Sequence, residues 1–162
     1  MSAAGRRGVT RGYVVALIAA TCIVAVALLV PSWGAIALAT GTEPVMTDSV
    51  SPSAGPLTVV VALALLAASL WRQAITLLRG QRSPAWGQII IAAVGGYLVW
   101  CLGGMLAGMD LRATWLSPYA VALGVSWALA TLAFWAVLAR RVYTDRPPPR
   151  WPWERAEESD GS

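Results

Sequence analysis

Residues 85–109 read AWGQIIIAAVGGYLVWCLGGMLAGM, twenty-five positions without one acidic or basic side chain. A bilayer core about 30 Å thick needs roughly 20 apolar residues of α-helix, so this stretch predicts a membrane-spanning helix. Its small residues keep a helical period. Ala85, Ala92, Gly96, Gly103 and Ala107 follow at spacings of 7, 4, 7 and 4, which draws one seam along one face. Gly95, Gly104 and Gly108 widen it. Helices in lipid gain little by burying apolar surface against each other and associate where small residues let backbones approach. The seam is therefore the candidate packing surface of a bundle, with a solute path or a partner's helix as its sharper uses.

Three more apolar runs flank this one, at about 13–31, 57–78 and 118–139. The last carries a matching small row at Ala120, Gly124, Ala128 and Ala136, and the first has Ala16 and Ala20. The connection 110–117 is short, which makes the third and fourth spans an antiparallel hairpin. The connection 32–56 is the longest, with Glu43 and Asp48 but no basic residue, and with breakers at Pro44, Pro52, Gly55 and Pro56. Pro31 either ends the first span or kinks it so that 34–40 add a turn or two. Ala37-Leu38-Ala39 imitates a signal cleavage site, but the apolar run before it outlasts a 7–15-residue signal core, so the span is expected to stay.

Arginine sets the orientation. The chain has twelve basic residues, all Arg, and eleven fall in segment 1–12, at the end of the second span or just after it (Arg72, Arg79 and Arg82), or in the tail 140–162. Arg72 is either the cytoplasmic anchor or carried just inside, snorkelling outward. Arg112 alone stands on the opposite side. Such a bias predicts both termini in the cytoplasm. With 57% hydrophobic and 12% charged residues, the composition holds about half the charge of a soluble domain. The net charge of +4 sits at span ends, where it meets lipid headgroups, and forms no basic stripe for nucleic acid.

Absences narrow the chemistry. No His is present, which excludes bis-His haem and a Ser-His-Asp triad. Cys22 and Cys101 lie at different depths and form no metal-binding cluster. No carboxylate stands in the middle of a span to relay protons. Neither a catalytic residue, a cofactor nor a metal is expected.

Polar groups remain at three places. Arg72 and Gln88 form a candidate anion or headgroup site beside Gln73, Arg79 and Arg82 on the cytoplasmic side. In the tail, Arg150, Trp151 and Trp153 follow Pro147–Pro149, whose extended polyproline conformation presents them to the inner leaflet or to a partner's groove. This tail is expected to be disordered in itself. Trp33, Trp71, Trp86, Trp115 and Trp135 fall at span ends as interfacial belt residues. Trp100, Trp127 and Tyr97 lie deeper, either filling the bundle or stacking on a planar ligand.

The layout of four spans, Arg-only basic ends, Gly-rich third span and Pro/Trp/Arg tail resembles uncharacterised small four-span integral membrane proteins of GC-rich, actinobacterial-type bacteria. The expectation is an all-α, polytopic four-helix bundle of the bacterial inner membrane with both termini cytoplasmic. Its partners are the lipid bilayer and another membrane protein or a second copy, not nucleic acid. The function expected is that of a non-enzymatic accessory or scaffold subunit; the alternative is a small carrier, channel or lipid-binding protein.

Overall fold

A computed structural model describes residues 11–45, 50–51, 53–78 and 86–143. Its helices are α1 (Arg11–Thr40), α2 (Ala54–Leu78), α3 (Trp86–Leu106), the single turn α4 (Leu111–Thr114) and α5 (Pro118–Tyr143). The described residues contain no strand, and four helices are long and apolar enough to cross a membrane. The fold is the expected all-α four-helix bundle. Segments 1–10, 79–85 and 144–162, with Arg79 and Arg82, Ala85 at the head of the seam, and Arg150, Trp151 and Trp153, lie outside the described residues.

The four long helices close into a ring. The broadest contact joins α5 to α3; α5 also packs on α1, and α3 on α2, while α1 and α2 meet more narrowly. The first and last helices are thus neighbours, and the guanidinium of Arg141 lies 6.0 Å from the ring centre of Tyr13. Their outward faces are as apolar as the core, with Ile23, Leu38, Val60, Ile90 and Leu106 all exposed. Helices apolar on every side suit a hydrocarbon surround.

Several boundaries differ from the sequence reading: α1 begins at Arg11, and α5 continues to Tyr143, so 140–143 of the expected tail are helical; two further differences have a visible cause. α1 passes through Pro31 and ends at Thr40, so residues 32–40 of the expected loop are helical, as are 54–56 at its far end. A proline removes one backbone donor, yet here the next turn is held from several sides. The Ser32 hydroxyl donates to the Leu28 carbonyl at 2.7 Å, and Trp33 Nε1 donates to the Tyr119 carbonyl at 3.1 Å. Trp33 also meets Trp100 edge to face, 5.0 Å between centres. The indole expected in the interfacial belt is therefore half-buried packing. The second difference is α3, which stops at Leu106 rather than near 109. Gly108, at φ +84°, turns the chain; its N–H donates to the Met105 carbonyl and that of Met109 to Gly104, a Schellman stop.

Candidate functional site

The seam residues of α3 meet large side chains of the same chain. A Cβ on Gly96 would stand 3.2 Å from the Trp127 ring, and one on Gly103 2.8 Å from the Thr58 methyl. Gly104, beside the seam, faces the Thr114 methyl at 2.5 Å on the same measure. Ala92 is buried, and Ala107 is half-buried in the turn beyond α3. Gly95 and Gly87 have open space where a Cβ would go. Opposite this seam, Gly124 of α5 brings backbone to backbone: its Cβ would lie 2.9 Å from the Ala93 carbonyl oxygen.

The deep aromatics spend their polar atoms on the backbone. Trp127 Nε1 crosses to the Ala62 carbonyl at 3.1 Å, and Trp100 Nε1 reaches Ala113 at 3.3 Å. Tyr97 donates its hydroxyl to the Trp115 carbonyl, and Tyr119 to that of Thr42, both at 2.6 Å. Cys101 donates its thiol to Thr114 at 3.5 Å. A buried indole or phenol needs such a partner. These bonds tie the loop ends onto the bundle and leave no ring face of Trp100 or Trp127 open, since both are buried to about one per cent exposure.

The end that bears the termini is built differently. Arg72 is exposed on α2 and Gln88 half-buried on α3, and no hydrogen bond joins them. Gln73, one position on and so about 100° round the helix, points inward. It is fully buried, and neither its amide nitrogen nor its oxygen has a partner. The indole nitrogen of Trp135 on α5 is likewise buried and unpaired.

Helix geometry puts these groups at one depth. Thr58 meets Gly103, and α2 and α3 run in opposite directions. Fifteen residues along each, about 22 Å, bring Gln73 level with Gln88. Trp127 bonds Ala62, and α2 and α5 run the same way. Eight residues on, Trp135 stands level with Leu70 and about 80° round α5 from Trp127.

Gln73 is the residue sequence reasoning passed over in favour of its neighbour. Its signal was present: Thr58, Ala62, Leu66, Leu70, Gln73 and Leu77 continue one helical row, and every member is buried. Among the described residues, no group of His, Cys, Asp or Glu is placed to hold a metal.

A polytopic, lipid-compatible helical bundle with a filled axis is the class these features define. Within it, the chain belongs to the family described as a family of unknown function, DUF6121, whose family model matches residues 7–161. No curated protein and no solved structure matches it.

Proposed function

We propose that this protein is a non-enzymatic accessory or scaffold subunit of the bacterial inner membrane, with both termini in the cytoplasm. One observation carries the reading: the bundle axis is filled by Trp100, Trp127, Phe134, Leu66, Leu70, Leu123 and Leu138, all buried. A filled axis presents surfaces rather than a path. Since Gly96 and Gly103 are taken up inside the bundle, contact with another membrane protein falls to the open face of α3 at Gly87 and Gly95, and to the tail at Arg150, Trp151 and Trp153.

Crosslinking with mass spectrometry on protein purified from its native membrane tests this. The full-length chain should carry a stoichiometric partner that is lost when the chain is truncated after Arg141. Recovery of the protein alone in both forms would count against the scaffold. The orientation has its own test: reporter fusions after Gly8 and after Tyr143 should both report cytoplasm, and one after Thr42 the opposite side. An extracytoplasmic signal from either terminal fusion would reject the arginine-based topology.

A second reading, a small carrier, channel or lipid-binding protein, draws support from the fully buried and unpaired amide of Gln73. Flux through liposomes containing the purified protein would favour it.

A further inference from the structure

We infer that the turn between α3 and α5 is a lipid-inserted surface. Leu106, Leu111, Trp115 and Leu116 lie among acyl chains of the leaflet away from the termini, and Asp110 and Arg112 reach its headgroups. The inference needs only the bundle in a bilayer and stands apart from both readings above.

The polar backbone of this turn is satisfied as a membrane segment's must be. A surface loop leaves many of its carbonyls to water. Hydrocarbon offers them nothing, so non-helical chain at that depth has to be served by protein. Three successive carbonyls at the end of α4 are served from one face of α3. Trp100 Nε1 donates to Ala113 at 3.3 Å, the Cys101 thiol to Thr114 at 3.5 Å, and the Tyr97 hydroxyl to Trp115 at 2.6 Å. Positions 97, 100 and 101 share that face by helical period. Further polar groups are settled locally. The Trp115 N–H donates to the Leu111 carbonyl, and the Thr114 hydroxyl lies 3.2 Å from both the Asp110 and Leu111 carbonyls. Trp115 Nε1 donates to the Met105 sulfur at 3.1 Å.

The same contacts fix the depth. α3 has 21 residues, about 31 Å, and needs all of them to cross a core about 30 Å thick. Its last residue, Leu106, therefore marks the edge of the hydrocarbon. Thr114 bonds Cys101 and sets its methyl against Gly104, both short of that edge. At the helical rise, Thr114 lies about 3–7 Å inside it.

The outward side of the turn matches this depth. Leu106, Leu111 and Leu116 are 91, 65 and 79% exposed, with Trp115 exposed beside them. In water they would form an apolar patch on a loop. The stretch apolar enough to cross a membrane is Leu111–Arg141, so it starts before α5 does. The turn's two charged side chains, Asp110 and Arg112, are exposed, and the long stem of Arg112 carries its guanidinium up to the headgroups.

Spin labels on the full chain in liposomes test this, with Cys22→Ala and Cys101→Ser removing the native thiols and the serine keeping a donor. Leu116→Cys carries the label in question. Leu102→Cys, on the exposed face of α3, and Glu43→Cys, in the connection after α1, serve as references. At 116, as at 102, collision with dissolved oxygen should exceed collision with a water-soluble nickel chelate; at 43 the order should reverse. A label at 116 that behaves like the one at 43 would overturn the inference. So would one shielded from both reagents, because protein and not lipid would then cover the turn. Leu116→Asp, in a chain with its native cysteines, reads the same point without a label. It should lower the melting temperature in liposomes by about 5 °C or more, while Leu116→Ala should change it little. Equal melting of Leu116→Asp and wild type would also overturn the insertion.

Discussion

Gly124→Val should force α3 and α5 apart and cost about 3 kcal/mol or more of bundle stability. At this crossing a Cβ on Gly124 meets the Ala93 carbonyl oxygen at 2.9 Å, and the Tyr97 Cβ at 3.6 Å. The first of these is backbone. A side chain can rotate away from an added methyl, but a carbonyl fixed in a helix moves only with the helix. The crossing also belongs to the broadest helix pair of the fold, so a shift there propagates along both elements. Gly95→Ala is the matched control. Its Cβ meets nothing within 4 Å, and alanine favours helix over glycine by up to about 1 kcal/mol, so this variant should hold or gain stability. Unfolding in mild detergent, followed by tryptophan fluorescence or protease susceptibility, reads both. Equal stability of Gly124→Val and wild type would mean that α3 and α5 do not approach through this glycine.

Trp127→Ala should be the most damaging single truncation in the interior, costing about 3–5 kcal/mol. The indole lies between three helices. It rests on Gly96 of α3, donates to Ala62 of α2 and stands on α5 itself. Truncation removes the contacts that hold three elements at one point, and the fully buried position is closed to lipid tails. Trp127→Phe separates packing from hydrogen bonding. It keeps most of the volume and loses only the N–H, which between membrane helices is worth about 0.6 kcal/mol. Resistance to unfolding by denaturing detergent should therefore fall steeply for Ala and slightly for Phe. Similar losses for the two would shift the weight from the ring to its N–H.

The spans were legible in the sequence because a hydrocarbon solvent imposes one strong rule: the runs 85–109 and 118–139 hold no charged residue, and 57–78 holds one, Arg72, near its end. Pro31 was harder to read. A proline's local penalty is visible in sequence, whereas the restraint that overrides it comes from Trp33 meeting Tyr119 and Trp100, 86 and 67 positions away. The same distance in sequence hid the role of Trp33, since an indole at a span end reads as an interfacial anchor. Gln73 shows the reverse case. Its place on the inward row was readable, but the charge of Arg72 beside it drew attention to the exposed face. Whether a polar side chain in such a row finds a partner depends on the facing helices, and no periodicity of its own helix reports that.

The ring closure of the bundle sets a schedule for its synthesis. α1 has its widest contact with α5, so the first helix into the bilayer waits for the last. From Thr40 to Tyr143 the ribosome adds 103 residues, roughly 5–20 s at ordinary rates of translation. Throughout that interval α1 is a solitary helix in lipid, with only the narrower contact to α2 within reach. This accounts for its make-up: from Tyr13 to Val30 it carries no charged, amide or carboxyl side chain, and its one buried hydroxyl, Thr21, is bonded to its own Leu17 carbonyl at 2.8 Å. Trp135 of α5, with its unpaired indole nitrogen, arrives last, when its neighbours are already in place.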